Sequence, residues 1–586
     1  MKTARKSICG LGLIALIFLL PGSTSAVGTW TKVTRSAPGA VSLMLLLSDG
    51  TVMAANSSTS TSWYRLTPDS SGSYINGTWS TLTGMHDTRL YYSSCVLTNG
   101  QVFVAGGEYG TGYPTSEVYD PVGNLWTIAS VPTSLLNPAN QSPEVGETQG
   151  FSDSPCKILP NGSVLVAPVA ASNVGGSLIY YPASNTWSNG PVFFRTGYPD
   201  QAEASWVRLP DDSVLTINPF GTTSERYIPS LNKWINDASI PVAIYSSLGG
   251  EIGPGLNLAD GRAFYLGGSG HTLLYTPTGN TNVGTWTAGP DIPAGLTASD
   301  APAAVLPNGK VLCAVGPALT TNSSGSVIYS PPTTFYEFDP IANTFTLTGT
   351  PTGTTANYAS YVANMVMLPN GSVLYSRFSS TMYVYQPDGS PLATNKPTIK
   401  TITQNTDGSY QLSGTLLNGV SAGAAYGDDN QMDSNYPIIR ITNSAGNVAY
   451  ARTYNWNSTT ISSGTNVSTT QFVLPTGVTT GNYTLVVTAN GIASDPVTLT
   501  LPQTLQIRKL TGEDKTVLSW PTLPSNAMLE TSSNLVGGSW SPLTNNISIV
   551  GNNSVLTNNI NRSSVFFRLH LQWWLNLKAS SNHITN

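Results

Sequence analysis

Cysteine, histidine and charge are all scarce in this chain, and each scarcity removes a class of function. Four cysteines and four histidines among 586 residues support neither a disulfide framework nor zinc-ligand spacing. Charged residues make up 9%, and no stretch concentrates Lys or Arg, which argues against nucleic acid and anionic membranes as partners. No Ser-His-Asp set, phosphate-cradling glycine loop or nucleotide fingerprint is visible. Long polar helical stretches are missing too. Gly (56) and Pro (40) are abundant, and Ser, Thr and Asn are dense, a mixture that suits many short strands joined by tight turns. The length is too great for one core and predicts several domains.

The first residues predict the compartment. Lys2, Arg5 and Lys6 precede an apolar run over residues 11–20, and Ser23, Thr24, Ser25 and Ala26 supply small residues before a cut. Residues 1–26 therefore read as a secretory signal peptide, and the mature chain is expected to be secreted, starting near Val27. The apolar run is short for a membrane span, and no other segment is apolar enough, so no span is expected after cleavage. Losing those three basic residues takes the formal net charge from −5 to −8. Cys9 lies ahead of the apolar run, the wrong place for a lipid anchor. Cys95, Cys156 and Cys313 remain, enough for one bridge at most.

The strongest signal is repetition. Leu-x-(Asp/Asn)-Gly followed by an apolar strand recurs from Leu47, Leu97, Leu159, Leu258, Leu306 and Leu368, with Leu-Pro-Asp-Asp at Leu209. Asn-Gly and Asp-Gly between apolar runs predict two-residue hairpin turns with both central residues at positive φ. Most units close with a Tyr-x-Pro-like turn and a Trp: Trp126, Trp187, Trp234 and Trp286, with Trp79 ending the first and Phe345 standing in for Trp in the sixth. The seventh unit has no closer of its own, but Trp30 precedes the first hairpin, and a strand there would complete the last unit and close a ring. A period near 50 residues resembles that of the kelch blade. The expected fold is all-β: a seven-bladed kelch β-propeller over 27–394, an immunoglobulin-like (E-set) sandwich over 395–501, a small C-terminal β-module over 502–571, and a tail over 572–586.

A kelch propeller followed by an immunoglobulin-like domain resembles the galactose oxidase and glyoxal oxidase family of copper-radical enzymes. That resemblance implies a copper held by two histidines and a tyrosine, with a second tyrosine cross-linked to cysteine. Tyr91, in Leu90-Tyr91-Tyr92-Ser93-Ser94, matches the cross-linked tyrosine, but its partner stretch Ala40-Val41-Ser42-Leu43 has no cysteine. Tyr361 matches the axial tyrosine, with Val362 where the family has histidine. The stretch 424–433, comparable to the loop bearing the second histidine, contains none. Copper needs imidazole-rich ligation there, so the scaffold is expected without the radical-copper site, and no cofactor is implied beyond a calcium ion.

The hairpin register supplies other candidates. Tyr91, Asp153, Glu203 and Asp300 stand six residues before their hairpin Leu, while Glu251 and Tyr361 stand seven before theirs. These positions enter each unit's first strand and would line one mouth of a central channel. Clustered carboxylates repel unless a cation or donor intervenes. They would hold calcium, bind a polyhydroxylated ligand, act as acid or base on a sugar, or hydrogen-bond strand ends across the channel. Asp428, Asp429 and Asp433 fail the EF-hand pattern and fit a loop that plugs the propeller. His86-Asp87 and His271 read either as catalytic pairs or ligands or as polar surface. The expected function is binding an extracellular glycan or protein at the acidic mouth; the alternatives are a copper-free carbohydrate-active enzyme and an oxidase of the resembled family.

Overall fold

The computed structural model describes residues 27–109, 111–112, 114–137, 151, 154–167, 171–195, 201, 203–351, 357–405, 407–426, 430–501, 505–521, 527–550, 553–559 and 565–571. Residues 1–26, Asp153, Asp428, Asp429 and the tail 572–586, all singled out above, lie outside these. The protein is all-β, with only 3-10 turns beside its strands among the described residues. No helix there is long and apolar enough to cross a membrane.

Successive antiparallel four-strand meanders share one build. Their first strands are Val41–Leu46, Ser93–Val96, Cys156–Ile158, Val207–Arg208, Gly255–Asn257, Pro302–Val305 and Ala363–Met367, and every residue in them is buried. The second strands, such as Val102–Ala105 (Val-Phe-Val-Ala), are apolar on both faces because sheets pack against both. The fourth strands are largely exposed, with one inward aromatic ring, as in Leu125–Ile128. The strand Thr29–Lys32 pairs with Tyr383–Gln386, placing Trp30 opposite Tyr385, so the chain's beginning supplies the fourth strand of the last of these sheets. Four-stranded sheets set side by side with buried first strands form a propeller-like arrangement.

The repeated motifs have clear physical roles. Each Leu N–H donates to the carbonyl four residues on, and the N–H of the motif's fourth residue donates back to the Leu carbonyl, as in Leu47 N to Thr51 O (2.8 Å) and Gly50 N to Leu47 O (2.9 Å). Only that fourth residue has positive φ: 74° at Gly50, 82° at Gly100, 84° at Gly371 and 65° at Asp212. The expectation of two left-handed central residues is therefore corrected to a type I turn with a left-handed bulge residue. The third residue instead uses its side chain, Asp49 Oδ1 accepting from Thr51 N at 3.0 Å. In Leu-Pro-Asn-Gly the proline at the second position fixes φ near −65°, which excludes the left-handed alternative.

The Tyr and Trp of each closing turn face one another across strands: Tyr119 and Trp126, Tyr180 and Trp187, Tyr227 and Trp234, Tyr275 and Trp286. The Tyr hydroxyls of the first three donate to Asn124, Asn185 and Asn232 at 2.8–3.0 Å, each Asn sitting at the left-handed position of its turn. The indoles reach into the preceding sheet. Trp126 donates to Thr83 O (2.9 Å), Trp187 to Ala129 O (2.9 Å) and Trp30 to Gly349 O (2.7 Å). One motif thus closes its own sheet and clamps the previous one. Trp234 keeps the position without an indole hydrogen-bond partner among the described residues.

Residues 398–501 form a further antiparallel sheet with its own core of Leu412, Ile439, Ile441, Phe472, Leu485 and Val487. It meets the hairpin-turn side of the first sheets: Thr453 N donates to Ser48 O (3.2 Å), Trp456 N to Thr98 O (3.1 Å) and Arg208 Nη1 to Thr459 O (2.8 Å). From the same region a hairpin, Gly423–Tyr426 and Asn430–Asp433, pairs with Pro302–Val305 and extends that sheet inward. Residues 505–571 make two small sheets around Leu518, Trp520, Leu529 and Leu556.

Two ionic clusters generate predictions. Asp237 and Arg226 are wholly buried and bonded, Nε to Oδ2, at 2.5 Å. Tyr275 of the next sheet (2.9 Å), Ala238 N (2.7 Å) and Gly284 N (3.0 Å) complete the Asp237 carboxylate. Asp237→Ala leaves the buried guanidinium only a 3.4 Å contact to Asp211 and the carbonyls of Asn280 and Asn282, and should cost about 3–5 kcal/mol, seen as a lower denaturant midpoint; a shift below about 1 kcal/mol would show the pair to be dispensable. In the C-terminal sheets burial alone would raise the Glu530 carboxyl. Bonds from His570 (2.9 Å) and Arg568 (2.7 Å) outweigh it and hold the carboxyl below its usual range. Its stabilisation is therefore present above the ordinary carboxylate pKa and lost as pH falls through the depressed value. Glu530→Gln should flatten the acid limb of unfolding followed by tryptophan fluorescence, and an unchanged limb would assign the acid sensitivity elsewhere.

Candidate functional site

Three of the register-derived candidates meet at one point. Glu203, Glu251 and Asp300, each half-buried and each from a different sheet, bring carboxylate oxygens within 4.8 Å of one another. Glu203 and Asp300 hold positive φ, 62° and 44°, as does Tyr91 at 49°. For Glu and Tyr this is an uncommon conformation that the surroundings must hold. Glu251 follows the left-handed Gly250, and the turn is closed by Gly250 N to Ser246 O (2.9 Å) and Ser246 N to Glu251 O (2.8 Å). A Cβ at Gly268 would stand 2.3 Å from that same Glu251 carbonyl, so only glycine lets the segments approach.

A tyrosine joins the carboxylates. Tyr329 donates its hydroxyl to Glu251 Oε1 at 2.6 Å, while Glu251 Oε2 is buried with no hydrogen-bond partner among the described residues. Burial, and then the negative charges of Asp300, Glu251 and Glu203, push the Tyr329 hydroxyl far up, so it stays protonated and donates. Tyr361 packs edge-on to Tyr329, with ring centroids 5.0 Å apart, and to Phe378 at 6.4 Å.

Tyr91 belongs to a second group of rings. It stacks on Tyr426 of the inserted hairpin (6.4 Å, 12°) and meets Tyr109 edge-on at 6.3 Å. Tyr109 is 70% exposed. Tyr426 lies opposite Pro302, two residues along from Asp300, so the rings and the carboxylates share one mouth. The segment before Tyr91 is tightly held. Buried Glu117 accepts from His86 N (2.8 Å), Asp87 N (3.2 Å) and Arg89 Nη2 (3.1 Å), and Arg89 also caps Gly106 O at 2.7 Å. In sheet four Glu225 caps Phe194 N and Arg195 N in the same way.

The register located Glu203, Glu251, Asp300 and Tyr361 together and Tyr91 beside them; Asp153 lies outside the described residues. Tyr329, Tyr109 and Tyr426 were missed. Tyr329 comes from an excursion in the sixth unit, where the closing Phe345 stands 39 residues after the hairpin Leu306, against 28 from Leu159 to Trp187 in the third, and that excess length was the available signal; Tyr109 lies in a stretch of ordinary length and had none. Tyr426 belongs to the hairpin that fills the channel.

Among the described residues the histidines stand elsewhere. His86 Nδ1 bonds Glu117 (2.7 Å), His271 Nδ1 bonds Asp291 at the surface (2.7 Å), and His570 pairs with Glu530 in the C-terminal sheets. The donors gathered at the mouth are carboxylate and phenol oxygens, and Val362 stands beside Tyr361. This set suits a hard cation or hydroxyl groups and does not fit a copper ion needing imidazoles.

No protein-family profile matches the chain, and no curated protein sequence matches it. Among solved structures it is similar to one described as a novel fungal alcohol oxidase with catalytic diversity among the AA5 family, in complex with copper. The identity is 14% and the TM-score 0.46, over 81% of this chain and 99% of that one. It is also similar to a structure described as YCF48 bound to D1 peptide, at 13% identity and TM-score 0.39, over 63% of this chain and 100% of the other. Likeness at this level bears on neither chemistry nor ligand, and the reading of the site rests on its own residues.

Proposed function

We propose that the chain is a secreted binding protein. In this reading it is a seven-bladed kelch-type propeller that takes an extracellular glycan at its acidic mouth, carried with an immunoglobulin-like domain and a C-terminal module that orient it. One observation carries the reading: Glu203, Glu251 and Asp300 from three sheets converge within 4.8 Å beside tyrosine rings. Carboxylate oxygens accept hydrogen bonds from paired sugar hydroxyls, the Tyr329 hydroxyl, its own proton given to Glu251, can accept one more, and exposed Tyr109 offers a face for an apolar sugar surface. Three like charges so close also favour a shared hard cation, for which calcium is the oxygen-liganded choice.

The same carboxylates give the second reading, a carbohydrate-active enzyme working by acid and base without copper. Oxygens under 5 Å apart are near the roughly 5–5.5 Å separation of retaining glycosidase pairs.

Glycan-array binding with calcium and with chelator tests the first reading. Glu203→Gln or Asp300→Asn should weaken binding roughly ten- to a hundred-fold, the worth of a hydrogen bond to a charged group, with the unfolding midpoint retained. Unchanged binding in both variants would move the ligand site away from this mouth. Sugar release by the wild type that these variants abolish would replace binding with catalysis. Stoichiometric copper with a radical absorption band after copper loading would restore the oxidase.

A further inference from the structure

Three thiols lie between residue 27 and the C-terminus, all of them buried and unbridged: Cys95, Cys156 and Cys313. Two have become neighbours although 61 residues separate them. Cys95 is on Ser93–Val96 and Cys156 on Cys156–Ile158, the first strands of adjacent sheets. The Cys156 thiol lies 3.5 Å from Ser94 O, the carbonyl of the residue before Cys95, and the Cys156 side chain is the first cause that pushes the Cys95 thiol up. Ser93 Oγ donates to Ser154 O, holding the strands in step. Cys313 is in sheet six, its thiol 3.5 Å from Val311 O.

We propose that Cys95 and Cys156 form an oxidisable pair that closes as a disulfide and staples the first strands of two adjacent sheets beneath the mouth. The reaction needs a disulfide oxidant, either a low-molecular-weight disulfide or an oxidised thiol–disulfide oxidoreductase. One thiol loses its proton and attacks the oxidant, forming a mixed disulfide and releasing one thiol of the oxidant. The second thiol loses its proton and displaces the remaining half. The cysteine pair thereby gives up two electrons and two protons, and the oxidant is reduced to two thiols. The adjoining Cys156 side chain and then burial push the Cys95 thiol well up, and both thiols are shut away from solvent, so closure belongs to folding or to transient opening of the sheets. The strands so joined begin just after Tyr91 and Asp153, and Lys157, next to Cys156, is ion-paired to Asp433 of the inserted hairpin at 3.3 Å. Closure therefore fixes two walls of the mouth whatever ligand it takes.

The test refolds the full chain with oxidised glutathione, denatures it without reductant, and alkylates. Cys95 and Cys156 should resist labelling and appear as one linked peptide, while Cys313 labels; reductant should free both. The oxidised chain should melt several degrees above the reduced one, a gap that disappears in Cys156→Ser. Full labelling of Cys95, Cys156 and Cys313 after oxidation, or a linked peptide joining either of the pair to Cys313 or Cys9, would overturn the proposal. The wild-type labelling decides the question even if the variant does not fold.

Discussion

Within its own four-strand meander each first strand is bonded on one side only, so its other edge of backbone donors and acceptors faces the middle of the assembly. Buried polar edges of this kind must be paired, hydrated or covered. The hairpin Gly423–Tyr426 and Asn430–Asp433 meets that constraint by adding to Pro302–Val305. Small residues make this fit possible: Ala424 and Ala425 lie opposite Ala304 and Ala303. Lys157 bonded to Asp433, and Tyr436 donating to Leu46 O, anchor the hairpin to other first strands. Hence the sheet over 398–501 is bound to the hairpin-turn face of the preceding sheets while its inserted hairpin carries Tyr426 toward the opposite mouth.

One device joins the sheets at Trp126 with Tyr119 and at Trp187 with Tyr180. An indole donating to the preceding sheet's carbonyl, backed by a tyrosine bonded to the turn asparagine, gives apolar burial and a directed bond at once. Where the short Asn turn is replaced by residues 277–284, Tyr275 turns instead to Asp237, and a buried ion pair takes over the joint. These joints leave the mouth free to hold unfavourable features. Left-handed Glu203 and Tyr91 and three mutually repelling carboxylates are tolerated because Glu117, Glu225 and the turn at Ser246 fix the segments leading to them.

Much of this was legible one residue at a time. The Leu-x-(Asp/Asn)-Gly motif marks a local turn whose geometry depends on four or five neighbouring residues, so its positions could be read directly, although its turn type could not. The proline at the second position and the side-chain bond of the third favoured a type I turn over the expected geometry. The closing aromatic residues were legible because a cross-strand pair beside a tight turn is also local. The hairpin Leu then served as a ruler, and counting back six or seven residues located Glu203, Glu251, Asp300 and Tyr361.

The sequence by itself determined the all-β class, the places of the turns, the pairing of Thr29–Lys32 with the end of the repeat, and the acidic character of the mouth. All of these follow from short-range pattern and period. Only the tertiary structure decided that Tyr329 would donate to Glu251, that Tyr426 would stack on Tyr91, and that Cys95 would lie against Cys156. Such contacts join residues 61 to 335 positions apart, brought together by sheet packing and by one inserted hairpin. No local period encodes that juxtaposition, because it depends on how neighbouring sheets pack and on what fills the space between them.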